Sequence, residues 1–158
     1  MHLRVLAIAC VCIPLTTSTN AVDFKVKVQK NVMMKARDGV GLATDLYLPV
    51  RKDGVKSPAI LIRTPYNKNG LGGIGRRFAR RGIAVVGQDV RGRYTSEGTF
   101  YIYMNEGKDG FDAVEWTAAQ PWCSGKVGAW GGSYLAATQN ALAVLRPPHL
   151  KTYFFFPK

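Results

Sequence analysis

Ser133 is the residue of this chain best placed to do covalent chemistry. It follows a short apolar run at residues 127–130 and two glycines, Gly131 and Gly132, and it opens a helical pattern over residues 134–144. A strand, a glycine-flanked serine and a helix in that order make the pattern of a nucleophile elbow. There the serine sits on a sharp, strained turn with its hydroxyl at the top of the sheet. A serine so placed attacks a carbonyl carbon, provided that a neighbouring base takes its proton. Taken alone, the same pattern also fits an ordinary serine between strand and helix. The usual partners are missing from the stretch that follows: no Asp or Glu occurs after Ser133, and the one later histidine is His149. At about 1.5 Å per residue the intervening helix carries the chain on the order of 15 Å away, towards the amino ends of the strands. His149 is therefore expected to be a loop histidine and not the base.

Cys123 offers a second nucleophilic atom. It has no histidine nearby, and residues 121–125 read as a turn between helix and strand, so no catalytic role is expected for it.

The elements that must position Ser133 follow from periodicity. Residues 23–29 alternate as a strand does. Residues 32–36 and 40–48 flank Arg37-Asp38-Gly39, a turn signal that predicts a hairpin. Residues 49–58 read as a loop. Residues 59–62 and 83–86 are short, continuously apolar runs of the kind buried on both faces of a sheet. Residues 64–75 read as a loop leading into a helix around residues 76–81, and residues 91–98 as a polar loop. Residues 109–119 have helical spacing, with Phe111, Val114 and Ala118 on one face and Trp116 on its flank. Residues 127–130 form a third buried strand. Arg146-Pro147-Pro148 stops the helix after Ser133, and residues 150–156 begin a further strand. Strands alternating with helices after an antiparallel start predict an α/β class with a mainly parallel, doubly wound sheet. Ligands of such sheets sit beyond the carboxyl ends of the strands. Tyr66, residues 89–93 and Ser133 all fall just after predicted strands, so they are expected to converge on one edge.

The chain has 158 residues, enough for one domain. Residues 1–21 have the layout of a secretory signal peptide: Arg4, an apolar run over residues 5–15, and Thr19 and Ala21 at the −3 and −1 positions of a cleavage site. An uncleaved anchor is the alternative, but the run falls short of the roughly 20 residues of a membrane span. Lipidation at Cys10 is a weaker alternative, because the apolar run ahead of it is very short. A secreted or periplasmic protein with no stable membrane span after cleavage is expected. Cys10 and Cys12 lie in the leader, which leaves Cys123 without an internal disulfide partner. The net charge is +12, and Arg76, Arg77, Arg80 and Arg81 cluster on one short helix, with Arg91 and Arg93 nearby. Such a patch can bind phosphates. No nucleic-acid motif accompanies it and the leader points out of the cell, so solvated surface or internal ion pairing is expected, with no nucleic acid as partner. No cofactor or metal is expected either, because no His/Cys/Asp cluster has ligand spacing.

Several motifs occur in a fixed order. They are Arg37-Asp38-Gly39 with Leu42-Ala43-Thr44-Asp45-Leu46-Tyr47-Leu48-Pro49; Arg63-Thr64-Pro65-Tyr66-Asn67-Lys68; Asp89-Val90-Arg91-Gly92-Arg93 with Ser96-Glu97-Gly98; Asp109-Gly110 with Trp116; Pro121-Trp122 with Gly125-Lys126-Val127-Gly128; and Gly131-Gly132-Ser133-Tyr134-Leu135. Over residues 31–156 this set resembles the X-Pro dipeptidyl-peptidase family of α/β hydrolases, which includes cocaine-esterase-like enzymes, α-amino-acid ester hydrolases and glutaryl acylases. Leu135 stands where the general Gly-x-Ser-x-Gly pattern has its second glycine, a departure this family tolerates. The resemblance implies an α/β-hydrolase fold in which residues 22–158 form the N-terminal part of the catalytic domain. It implies Ser133 as nucleophile, the Tyr66 hydroxyl as one oxyanion donor and the Tyr134 backbone N–H as the other. Asp89, Arg91 and Glu97 are expected to form an ion-paired brace under the site.

The family places its acid and histidine downstream of the nucleophile, in the order Ser, Asp or Glu, His. A truncated chain, inactive alone and lacking the family's cap and C-terminal β-domain, is therefore expected. The implied function is hydrolysis of small-molecule or peptide esters or amides through an acyl-enzyme, X-Pro dipeptide release included. A non-catalytic hydrolase-like fragment or binding module is the alternative. Acyl specificity and oligomeric state are not legible in the sequence.

Overall fold

The computed structural model describes residues 23–52 and 54–156. The expected leader, with Cys10, Cys12 and His2, lies outside the described residues. Among those described, a six-stranded sheet has the order β1-β2-β4-β3-β5-β6. Its elements in chain order are β1 (Val26–Lys35), β2 (Gly41–Pro49), β3 (Ser57–Thr64), α1 (Gly72–Arg80), β4 (Ala84–Asp89), α2 (Glu106–Ala118), β5 (Cys123–Trp130), α3 (Tyr134–Val144) and β6 (Leu150–Phe154). The first two strands form the expected hairpin, and β2 runs antiparallel to β4. From β4 through β3 and β5 to β6 the sheet is parallel.

Each parallel crossover carries a helix, and the helices cover both faces. On one face, Leu42, Leu46, Leu61, Val86 and Val127 pack against Ala113 and Val114 of α2 and Leu142 of α3. On the other, Tyr47, Ile62 and Val85 meet Ile74, Phe78 and Ala79 of α1. The continuous apolar runs of β3 and β4 are thus buried from both sides, as their composition requires.

Several boundaries differ from the sequence reading, four of them with consequences for packing. Residues 23–29 and 32–36 do not form separate segments. β1 is one strand with a bulge between Gln29 and Val32, where two residues oppose Asp45. Asn31 takes φ 54° there, and its N–H donates to Asp45 Oδ1 at 3.0 Å. Glycine content made residues 64–75 look like a loop, yet a 3-10 turn spans Lys68–Leu71 and α1 starts at Gly72. Gly75 is there for close approach: a Cβ on it would lie 2.5 Å from the Tyr47 ring. Helix α2 starts three residues earlier than expected and buries Glu106, Asp109, Gly110, Ala113, Val114 and Thr117, which leaves Phe111 half-buried on its flank. Cys123 belongs to β5 and not to the preceding turn.

Candidate active site

Three loops meet at the carboxyl edge of the parallel strands: the one after β3 bearing Tyr66, the one after β4 spanning residues 90–105, and the turn from β5 to α3 bearing Ser133. Ser133 is exposed and holds φ 55°, ψ −128°, a combination that L-residues rarely adopt. The turn is clamped on several sides. Gly131 N–H donates to Phe154 O at 3.2 Å. From α3, the buried Gln139 returns its amide to Gly131 O at 2.9 Å and Leu135 O at 3.1 Å. A Cβ on Gly132 would lie 2.9 Å from the Phe156 carbonyl oxygen and closer still to its ring, so only glycine fits. Beside the serine lies a mostly apolar recess of about 270 Å³ lined by Tyr66, Trp130, Gly132, Ser133, Leu135 and Phe156.

Tyr134 follows the serine and opens α3. Its N–H belongs to the first helical turn, which has no intrahelical acceptor, and it makes no backbone bond elsewhere among the described residues. Its side chain is a buried anchor. The hydroxyl donates to Glu106 Oε1 at 2.9 Å and accepts from the Tyr103 N–H at 3.2 Å. The ring stacks on Tyr103 at 4.8 Å and receives the Tyr66 ring edge-on at 6.4 Å. Burial, with the neighbouring Glu106 carboxylate, pushes the Tyr134 phenol up to about 12. Tyr66 is 60% exposed, and its backbone N–H is tied to Thr64 Oγ1 at 3.0 Å. Sequence reading expected Ser133, Tyr66 and residues 89–93 at one edge, and the fold brings them there.

Beneath the tyrosines runs a buried polar chain. Arg63, the penultimate residue of β3, donates from Nη1 to Glu106 Oε2 at 2.7 Å and from Nε to Gln88 Oε1 at 2.9 Å. Its Nη2 lies 3.7 Å from Asp109. Arg91 forks onto Asp109 at 2.7 and 3.0 Å and reaches Asp38 at 2.8 Å. The Asp109 hydrogen bond, with help from Asp38, raises the Arg91 pKa further. The expected mutual brace of Asp89, Arg91 and Glu97 is thereby corrected, for each has a different partner. Asp89 accepts from the Lys68 N–H at 2.7 Å and lies 3.5 Å from Lys68 Nζ. Glu97 accepts from the Gly41 N–H at 2.8 Å. The loops are braced from β2, α2 and the 3-10 turn before α1.

Glu106, Tyr103 and Gln139 escaped the sequence reading. The signal for Glu106 was an acidic residue one turn before Asp109, where a helix start favours carboxylates. Arg63 was visible only as the first residue of the Arg63-Thr64-Pro65-Tyr66-Asn67-Lys68 motif, with no role assigned.

The remaining candidates lie elsewhere. His149 sits at the opposite end of the sheet: its carbonyl accepts from the Val127 N–H near the start of the parallel pairing, and its Nδ1 is 2.7 Å from Glu115 Oε2. Cys123 is buried, and burial pushes its thiol pKa up, which disfavours the thiolate. No side chain lining the recess at Ser133 could serve as a general base at neutral pH. Among the described residues no cluster of His, Cys, Asp and Glu could hold a metal ion, and no helix is long and apolar enough to cross a membrane.

Comparison with known proteins places this geometry. Residues 38–155 match the family described as X-Pro dipeptidyl-peptidase (S15 family). Cocaine esterase of Rhodococcus sp. (strain MB1 Bresler) is 42% identical over 129 residues, covering 78% of this chain and 22% of the relative. The chain thus spans about a fifth of the length of the curated relatives it matches. Among solved structures, a CocE/NonD family hydrolase from Staphylococcus aureus superposes with a TM-score of 0.72 at 24% identity, covering 81% of this chain and 27% of that one. An alpha-amino acid ester hydrolase superposes with a TM-score of 0.71 at 27% identity, covering 90% of this chain and 28% of that one.

Proposed function

The chain belongs to the X-Pro dipeptidyl-peptidase (S15) family of esterase- and peptidase-type hydrolases, and we propose that it carries the nucleophile and oxyanion-hole part of a serine hydrolase acting on esters or amides. The observation that carries the reading is the backbone of Ser133, held at φ 55°, ψ −128° between β5 and α3 with its side chain exposed. Strain of this kind, costing about 1–3 kcal/mol, persists where surrounding structure imposes it. Here the imposing groups are Gln139, the glycines and the end of β6.

In the proposed reaction Ser133 Oγ attacks the substrate carbonyl carbon while a base takes its proton. The oxyanion accepts from the Tyr134 N–H and, after rotation of an exposed side chain, from the Tyr66 hydroxyl. Losing one such donor typically costs about 100- to 1000-fold in rate. The tetrahedral intermediate collapses to an acyl-enzyme on Ser133 as the alcohol or amine leaves with a proton. Water then attacks the ester carbon and frees the acid and Ser133. The acid and base that complete the triad are proposed to lie outside these 158 residues, and export to the periplasm or beyond is proposed from residues 1–21. X-Pro dipeptide release is one form the amide reaction would take.

The 158-residue chain alone is expected to show little or no turnover of a p-nitrophenyl ester. A robust rate that vanishes in Ser133→Ala would overturn the missing base. A coding sequence that continues in frame past Lys158 and supplies an Asp and a His would allow the direct test: the longer protein hydrolyses the ester, and its Ser133→Ala variant does not. The second reading, a non-catalytic hydrolase-like chain, is favoured by the lack of any base in the recess. It would be preferred if the longer protein were inert.

A further inference from the structure

The arginines between residues 63 and 93 divide into two groups. Arg63 and Arg91 are ion-paired inside the molecule, and Arg93 donates to Pro65 O and lies over the Phe100 ring. Arg76, Arg77, Arg80 and Arg81 are all exposed on α1 and its C-terminal cap, Arg76 with its guanidinium 6.0 Å over the Tyr47 ring, and none forms an ion pair among the described residues. Like charges three and four residues apart on a helix repel. The helix C-terminus offsets part of that cost for Arg80 and Arg81, but not for Arg76 at mid-helix. Two shallow recesses flank this row. One is lined by Gly73, Arg76, Arg77, Phe78, Arg80 and Arg81, and the other by Phe24, Lys25, Val26, Arg76 and Arg80. They share Asp23, Arg76 and Arg80 and so adjoin as one trough, with Asp23 as the only carboxylate among its lining residues.

We propose that this trough binds an extended acidic polysaccharide through its carboxylate or sulfate groups. Guanidinium forks match such oxyanions in two-point hydrogen bonds, and successive arginines along a helix face meet successive charges of a polymer. The apolar side of α1 is already spent on the sheet through Ile74, Phe78 and Ala79, so nothing remains to insert into lipid. The two rings that line the trough are already engaged, Phe78 edge-on to Trp130 and Phe24 under the Arg51 guanidinium at 4.7 Å, which disfavours base stacking. Because α1 runs back along the sheet, its last turn lies at the amino ends of the strands, the opposite pole from Ser133. Arg80 O accepts from the Phe24 N–H there, beside the start of β1. A polymer bound in the trough would leave the serine edge open. The inference does not depend on the proposed hydrolysis, and its test needs no turnover.

The test is binding of the purified full chain to dextran sulfate, polygalacturonate and neutral dextran across a salt series, with single-stranded DNA and phosphatidylglycerol vesicles as parallel probes. Two variants remove equal charge. In one, Arg76, Arg77, Arg80 and Arg81 become Gln; in the other, the exposed Lys27, Lys35, Lys108 and Lys126 become Gln. Circular dichroism melts check folding, and Arg77→Gln/Arg81→Gln replaces the fourfold arginine variant if that one unfolds. The expected result is salt-sensitive binding to one or both acidic polymers and none to dextran. The arginine variant should lose on the order of tenfold or more in affinity, with a shallower salt slope, while the lysine variant stays near wild type. Equal losses in both variants would reduce the effect to net charge and overturn the site. Absence of binding, or tighter binding to DNA or vesicles than to either polysaccharide, would overturn it as well.

Discussion

Ser133 is the point at which local strain and proposed chemistry coincide. Asn67, Tyr94 and Tyr103 also take positive φ at the same edge of the sheet, at 82°, 50° and 64°. Glycine tolerates the backbone of Ser133 and alanine does not, so two substitutions separate strain from hydroxyl loss. Ser133→Gly is expected to be more stable than Ser133→Ala by about 1 kcal/mol, in spite of the extra unfolded-state entropy of glycine. Urea denaturation of the two variants measures it, and equal midpoints would show that the turn is relaxed. Tyr134 supplies a pH signature. Its phenol ionises near 10 when free and is pushed up to about 12 here, chiefly by burial. The folded state therefore prefers the neutral phenol. That stabilisation is complete below pH 10 and is lost as pH rises towards 12. A phenolate absorbance titration should contain one late step that disappears in Tyr134→Phe, and its survival in that variant would assign the step to another tyrosine.

At the scale of elements, the site depends on how β3 is tied to α2. Arg63 and Glu106 join the end of one to the start of the other with both side chains almost fully buried. Removing one partner of such a pair strands a charge and typically costs about 3–5 kcal/mol. Arg63→Met and Glu106→Gln are each expected to be strongly destabilising, and their combination should cost less than the sum. Chemical denaturation of all three measures the coupling, and strict additivity would mean that the two charges do not depend on each other. This tie also shows what the sequence could reveal. The hairpin, the buried runs of β3 and β4, and the span of α3 were legible because period and turn chemistry are local properties. Ser133, Tyr66 and residues 89–93 were expected together because the carboxyl ends of parallel strands share an edge, whereas the roles of Ser133, Tyr66 and Tyr134 came from the family resemblance. The bulge at Asn31 was hidden because its cause lies across the sheet, in the Asp45 carboxylate that takes the Asn31 N–H and the Lys30 ammonium. The early start of α1 was hidden because Gly75 serves a contact with Tyr47 that no local window contains. The partners of Asp89, Arg91 and Glu97 were misassigned for the same reason: proximity in sequence was read as pairing, while the partners come from β2, α2 and the turn before α1.

On the scale of the whole molecule, two surfaces act against each other. The edge strand β6 pairs only with β5 among the described residues, and it leaves Tyr153, Phe154, Phe155 and Phe156 substantially exposed. An uncovered edge with apolar rings favours association with another copy. The net charge of +12 opposes it, since two such molecules repel at long range. Salt distinguishes the two forces. The screening length is about 30 Å at 0.01 M and about 8 Å at 0.15 M ionic strength, so repulsion between whole molecules fades first while apolar contact does not. Self-association is therefore expected to strengthen as salt rises. Sedimentation velocity across that range should show a larger weight-average size at the higher salt. Tyr153→Lys/Phe155→Lys places cations on the edge and removes a stacked ring pair, so this variant should stay smaller at both salts. Association that weakens with salt would mean that ionic contacts hold the copies together, and β6 would then not be the contact surface.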